Sequence, residues 1–572
     1  MAPLRNTLLV GFSLIAVVIA ALLGLQQTPL IDDTTYCYDH VSTLAESKPV
    51  AKCFSVGSDG TFTRIYASQD DAPDAHVKIS GSVIPGLWDG HGHIQGLGEL
   101  ISTVDLFGST SMEDALQRVS SYFEKHATSG TREDWLRGTG WDQAAFGRMP
   151  TANDFDKIPG LKDKYIMLSR VDVHCVWVSH AVLKLLPDIP EKVPGGEIIT
   201  DPGRGVFCDN AIDLVSKHWP KPSEEKLASW IKSAMKEMNK VGLVGAHEAG
   251  VIPPVLQLYN RLADTEDWTV RVYAMLECEK RNTFCPEIGG KFTGARQDGK
   301  LAVQSVKLFA DGALGSWGSA MIEPYSDRPS SSGSLLINGT DLKLITQRWA
   351  QEGYQVNIHA IGDLANRYAV DAFLASYPLI CPGMSAKECQ ATRRFRIEHS
   401  QIIHPDDQAR IHKFGIIPSI QPTHATSDMA YAEARLGPER TSKEAYRMKS
   451  FIALNPILGS DFPVEPANPF HGMYAAITRR NPKTGKGKDG STDGWHSEEA
   501  LNLTEAVLGF TKNPAYGAFL EEKAGVIQPG AFADWVVLES PLEKLAADDL
   551  LTLKVQQTWM AGKLVYAKSN KQ

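Results

Sequence analysis

A chain of 572 residues, 22% charged and 43% hydrophobic, exceeds one ordinary core and predicts a globular protein of two domains plus additions. Its formal net charge of −9 argues against a nucleic-acid surface. No basic stripe with interleaved aromatics, no GxGxxG or Walker loop and no short-period repeat occurs.

Leu8–Leu25 (LLVGFSLIAVVIAALLGL) is an uncharged apolar run after Arg5, just long enough to span a bilayer. With Asp32 and Asp33 downstream, the charge asymmetry predicts a transmembrane signal-anchor over 1–30 with the rest lumenal or extracellular. A cleaved signal and secretion are the alternative, because Ala20, Ala21 and Gly24 are small. The eight cysteines form no C-x-x-C, so a zinc ribbon is unsupported. In a lumenal chain Cys278/Cys285 and Cys381/Cys389 could close short disulfide loops, while buried free thiols fit equally well. Asn338 and Asn502 begin N-x-T glycosylation triplets, which matter only in a translocated chain.

Residues 31–84 and 516–572 both carry short β-like segments between Gly and Asp turns, and are expected to pair into one small β-sandwich. The intervening 85–515 alternates strand and helix patterns, the signature of βα units. Helices are expected over Ser111–His126 and Glu224–Lys240, and an irregular Pro/Gly-rich insertion over about 140–220. Strands are expected at Asp134–Gly140, Val241–Ala246, Val270–Leu276, Ala302–Phe309, Gln355–His359, Phe395–His399, Ile416–Gln421 and Ile457–Asp461. The fold class is therefore α/β: a (β/α)8, TIM-like barrel plus the composite β-sandwich.

A β-like run over His76–Ile84 ends at Pro85-Gly86 and is followed by Asp89-x-His91-x-His93. Residues two apart on an extended chain point the same way, so His91 and His93 can aim imidazole nitrogens into one cavity, as a divalent metal requires. Later strands end in His359, His399 and Asp461, and Lys307 lies in a β-run just before Asp311-Gly312. Each alone has a plain structural explanation. Together they describe polar residues gathered at the C-terminal mouth of a barrel.

These stretches (PGLWDGHGH, VKLFADGALGSWGSA, NIHAIGD, RIEHSQII, LGSDFPV and GVIQPGAFADWVVL) resemble the amidohydrolase superfamily, specifically its amidohydrolase-3 (YtcJ-like) branch, from about Ala51 to Tyr566. The resemblance implies His91, His93, Lys307, His359, His399 and Asp461 as ligands of one or two divalent ions, most simply Zn²⁺. Lys307 would be carbamylated into an anionic bridge, and Asp461 would serve as general base and acid beside a metal-activated hydroxide. Two departures stand out: Gly90 where the family often has Ser, and His247-Glu248 where it often has His-Asp.

Trp141, Asp172, His174, Trp317, Gln421 and His424 fall in segments expected to overhang the barrel mouth and are candidate substrate contacts. His247, His404, His412 and His471 are read as structural or surface residues. The leading expectation is hydrolysis of a small non-peptide amide, N-acyl, N-formyl or cyclic; the chain leaves room for a homo-oligomer. A deaminase or esterase could use the same constellation. A non-catalytic lumenal metal-binding protein is the rival from another class, and a free acid at Asp461 speaks against it.

Overall fold

The computed structural model describes residues 33–186, 188–286 and 294–569. Its centre is a parallel sheet of eight strands: β1 (Leu87–Gly92), β2 (Leu243–Val251), β3 (Arg271–Leu276), β4 (Leu301–Phe309), β5 (Gln355–Ala360), β6 (Arg396–His399), β7 (Ile417–Ile420) and β8 (Ile457–Leu458). Each strand pairs in parallel with the next in the chain. The result is a nearly closed barrel of the TIM type.

The alternation within each strand decides what faces inward. In β5, Val356, Ile358 and Ala360 join the apolar layer shared with the outer helices, leaving Gln355, Asn357 and His359 for the interior. That apolar layer is completed by Ile231, Met235 and Met238 of helix Glu224–Lys240, and by Phe373 and Tyr474 of two later helices.

Closure is the delicate step, because β8 has only two residues. The chain beyond it does the joining. Asp461 N–H donates to the His91 carbonyl at 2.7 Å, and His93 N–H to the Phe462 carbonyl at 2.8 Å. The buried Asp89 carboxylate braces this seam, accepting from His91 N–H at 3.0 Å, Ser460 N–H at 3.1 Å and Ser460 Oγ at 2.7 Å. The approach demands glycine: a Cβ on Gly90 would lie 2.2 Å from Ile457, and one on Gly92 would lie 2.3 Å from Phe462.

Two strand boundaries differ from expectation. The β-run before Asp89 belongs to another sheet and breaks at Gly81 (φ 126°), so Asp89 and His91 lie within β1 rather than beyond a strand's end. β2 continues past Ala246 to Val251, which puts His247 and Glu248 inside it. Glu248 there accepts Ile94 N–H at 2.8 Å, tying helix Ile94–Ile101 to the barrel.

Both chain ends build the second sheet. Thr34–Ser42, Val50–Val56, Phe62–Tyr66, Val77–Lys78 and Ser82–Pro85 join Trp535–Leu538, Gln557–Met560 and Lys563–Ala567 in one eight-stranded sheet, where a two-sheet sandwich was expected. Its edge curls back: Phe62 N–H donates to the Ala531 carbonyl at 2.8 Å. Curling lets a single sheet bury its own aromatic face, with Phe54 edge-on to both Phe62 and Trp535. The sheet is fastened to the barrel by a buried ion pair, Arg271 Nε to Asp534 Oδ2 at 2.6 Å and Nη2 to Oδ1 at 3.0 Å.

Between helix Ile94–Ile101 and helix Glu224–Lys240 the chain forms a third, six-stranded sheet. Its strands are Val104–Asp105, Leu136–Trp141, Ile166–Arg170, Cys175–Val178, Gly196–Ile199 and Val206–Asp209. Much of this reads as irregular in sequence because strands of four or five residues carry little periodicity.

All eight cysteines are paired: Cys37–Cys53, Cys175–Cys208, Cys278–Cys285 and Cys381–Cys389. Asn338 and Asn502 each cap a helix, accepting the N–H of Asp341 and Glu505 respectively. The expected single-pass membrane placement is corrected: among the described residues no helix is long and apolar enough to cross a membrane, and the apolar run over 8–25 lies outside them.

The Arg271–Asp534 pair gives the fold a sharp test. Removing the carboxylate strands a buried guanidinium, so Asp534→Ala should cost about 3–5 kcal/mol in denaturant unfolding. A loss below ~1 kcal/mol would show that the sheet is held by its apolar contacts alone.

Candidate active site

The six expected ligands meet at the C-terminal mouth of the barrel, lining a cavity of about 340 Å³. His91 lies near the end of β1, Lys307 near the end of β4, His359 near the end of β5, and His399 ends β6. His91, His399 and Asp461 place donor atoms within 4.8 Å of one another. His93 Nε2 is 3.1 Å and His91 Nε2 3.5 Å from Asp461 Oδ1. Lys307 Nζ lies 3.4 Å from His91 Nε2, and the His359 and His399 rings are 4.4 Å apart.

Two of the candidate ligands reach the cavity through unusual backbone. On β6, Arg396 and Glu398 face the barrel interior, so alternation would send His399 outward. A φ of 73° at His399 turns it into the cavity, and Asp461 stands at φ 59°. Non-glycine residues in this region are held there by their surroundings at a cost of order 1–3 kcal/mol.

The cluster is electrostatically prepared for an ion. Burial, aided by the charge of Lys307, lowers the His91 pKa to about 4. Burial and the neighbouring imidazoles hold His359 and His399 well below the usual histidine range. Burial opposes ionisation of Asp461, but the hydrogen bond from His93 and the charges of His91, His93 and His424 prevail and keep its carboxyl below the ordinary range. Burial likewise lowers Lys307. Neutral imidazoles beside an ionised carboxylate form a donor set that suits a borderline divalent ion. His359 Nε2 and His424 Nε2 are buried without hydrogen-bond partners, as expected of atoms facing a cation site.

Glu398 and Arg396 were not anticipated, although alternation in the stretch RIEH marks them as sharing one face. Glu398 Oε2 accepts from His91 Nδ1 at 2.5 Å, which leaves Nε2 for the cavity. Arg396 neutralises that carboxylate, donating to Glu398 at 3.0 Å while also reaching the Gly90 carbonyl at 3.0 Å and His247 Nδ1 at 2.5 Å. Gln421 plays the same part for His399, its Oε1 accepting from Nδ1 at 2.9 Å. Asp311, also unforeseen, accepts backbone N–H groups from Ala320, Ile361 and Gly362, and its Oδ1 lies 3.5 Å from His359 Nε2. Burial raises its pKa to about 7.

Of the candidate substrate contacts, Asp172, His174 and His424 line the cavity. His424 Nε2 is 3.7 Å from Asp461 Oδ2. Trp141 is fully buried in the inserted sheet, its indole donating to the Leu168 carbonyl, and does not line the cavity. Trp317 also lies outside the lining: its indole donates to Asp327 and its ring is covered by Arg435. His247 is a core residue packed edge-on to Trp88.

An eight-stranded parallel barrel carrying imidazoles, a lysine and an aspartate at its strand ends defines a metal-dependent hydrolase. The chain belongs to the amidohydrolase family, whose model matches residues 81–566, and is a hydrolase acting on carbon–nitrogen bonds. It is 27% identical over 526 residues to "Putative amidohydrolase YtcJ" of Bacillus subtilis, covering 89% of this chain and 94% of that one. It is 24% identical over 530 residues to an N-substituted formamide deformylase of Arthrobacter pascens, covering 89% and 93%. The crystal structure of an uncharacterized metal-dependent hydrolase from Pyrococcus horikoshii shares the fold at a TM-score of 0.70 and 24% identity, covering 90% of this chain and 99% of that one.

Glu398→Gln tests the support given to His91. The amide keeps the shape but loses the charge that fixes the imidazole, so metal affinity in a chelator-competition titration should fall about 10–100-fold. An unchanged affinity would remove Glu398 from the site.

Proposed function

We propose that the protein hydrolyses the C–N bond of a small non-peptide amide, with N-formyl and N-acyl amines first among its substrates. The observation that carries this reading is Asp461: a carboxylate held below its ordinary pKa range among imidazoles, lining the cavity in which a scissile amide would lie. The relationship to an N-substituted formamide deformylase favours the formyl class, and the size of the cavity suits a small molecule.

His91, His93, His359, His399 and Asp461 would hold the ion, most simply Zn²⁺, with Lys307 as the remaining ligand. When bound, such an ion supplies Lewis-acid polarisation and acidifies water at an open position. Asp461 accepts the proton of the attacking water on a carboxylate oxygen. It then returns that proton to the amine nitrogen as the C–N bond breaks, so that amine and carboxylic acid leave. Lys307 enters as its carbamate. Carbamylation needs the neutral amine, whose lone pair attacks CO2; the new N–C bond forms, a proton leaves, and an anionic oxygen pair results, and burial lowers the Lys307 pKa in the direction that favours it.

The test is release of aniline from formanilide and acetanilide by zinc-supplemented protein, with phenyl acetate as the ester comparison. Asp461→Asn should keep its fold and lose about 10²–10⁴-fold in kcat. Lys307→Ala should lose metal. Turnover of phenyl acetate with no amide cleavage would move the reading to an esterase.

A further inference from the structure

The inserted segment contributes one imidazole to the cavity, and that imidazole is held with unusual care. His174 lines the cavity, with its ring 5.5 Å from that of His359. Its Nδ1 is paired with Asp209 Oδ1 at 2.8 Å. His174 immediately precedes strand Cys175–Val178 and Asp209 ends its antiparallel neighbour Val206–Asp209, with the disulfide Cys175–Cys208 joining the residue after His174 to the residue before Asp209. The backbone closes the same unit, Asp209 N–H donating to the His174 carbonyl at 2.9 Å.

The approach to His174 is strained: Val173 adopts φ 55° and Asp209 φ 52°. A β-branched residue at such an angle is an outlier, and such outliers cluster where a side chain must be aimed. His174 N–H is also held, at 3.1 Å, by the carboxylate of Asp172, which pairs with Arg170. The barrel makes room for the arrangement. A Cβ on Gly312 would lie 2.4 Å, and one on Gly318 2.6 Å, from the Asp209 carboxylate. Loop 310–319 therefore carries glycine at both points where Asp209 rests.

The Asp209 carboxylate is 5% exposed and is satisfied by a hydrogen bond from the His174 ring. Nδ1 is spent on Asp209, which leaves Nε2 for the cavity.

We propose that His174 is a catalytic residue of the inserted sheet, donating a hydrogen bond from Nε2 to the carbonyl oxygen of the scissile amide and to the oxyanion it becomes. Asp209 is its positioning residue. Charge-assisted donors aimed at a developing oxyanion are commonly among the largest single contributions to acyl transfer. This inference rests on the amide-hydrolase reading above for its substrate, but it is a claim about which side chain meets a carbonyl, and it can be tested by binding alone.

The experiment is calorimetric titration of zinc-loaded protein with N-methylacetamide, a compact amide that is not a chelator, beside kcat on formanilide. His174→Ala should weaken binding at least ~10-fold and lower kcat about 10²–10³-fold, with metal content and melting temperature unchanged. His174→Gln, which keeps an N–H donor, should recover most of the binding. Asp209→Asn should lower kcat more than it raises KM, and leave metal content alone.

Equal affinity in wild type and His174→Ala overturns the inference, as does a loss in His174→Ala traced wholly to missing zinc. If wild type cleaves formanilide while His174→Ala binds and cleaves equally well, the inference falls and the hydrolase reading stands. If binding depends on His174 but no amide is cleaved, the inference stands and that reading falls. Absence of both binding and cleavage in wild type counts against both.

Discussion

The structure depends on how a parallel barrel closes when its last strand is too short to close it. β8 ends at Leu458, and the ladder to β1 is finished by Asp461 and Phe462. The hydrogen bond that completes the seam joins the amide of Asp461 to the carbonyl of His91, so two of the candidate ligands are also the two faces of the closure. Asp89 secures the same seam from within, through three hydrogen bonds to His91 and Ser460. Site geometry and barrel integrity are thus one constraint, and the spacing Asp-Gly-His-Gly-His satisfies it position by position: brace, close contact, ligand, close contact, ligand.

Charge is the second organising condition. Several imidazoles packed at ring separations of 4.4–4.8 Å cannot all carry protons, and burial keeps the inner three neutral. Two of the three are oriented by a partner suited to that task. Glu398 fixes His91, Gln421 fixes His399, and Arg396 balances Glu398 beneath them. The interior of the barrel below the ligands is therefore polar and hydrogen-bonded, where an ordinary core would be aliphatic.

That the six candidate ligands share one cavity was legible because they sit at strand ends in short, locally patterned stretches, and the barrel strands because buried β-runs recur between helical ones. What could not be read shares a cause: it depends on residues far apart in the chain. Asp209 lies 35 positions from His174, and Cys175 lies 33 from Cys208, so no local pattern connects them. Trp141 and Trp317 were drawn toward the mouth by being aromatic and near turns, yet the Trp141 indole is satisfied by the neighbouring strand at Leu168 and that of Trp317 by Asp327. The composite sheet was foreseen from the likeness of the two chain ends. That it would be a single curled sheet was not, because curvature depends on the Phe62–Ala531 contact, which no strand pattern reveals.

That sheet has a consequence for the making of the protein. Strand Ser82–Pro85 has Thr34–Ser42 on one side and Trp535–Leu538 on the other. At ribosomal rates of ~5–20 residues per second, the second neighbour arrives tens of seconds after the first. Until then the nascent chain displays the apolar edge Ser-Val-Ile-Pro, an open template for pairing with another chain. The barrel can assemble strand by strand as it emerges, but the molecule is sewn shut only by its final residues. A premature stop within the last fifty residues would leave a formed catalytic barrel with an unpaired, adhesive border, so truncation should be felt as aggregation before it is felt as lost chemistry.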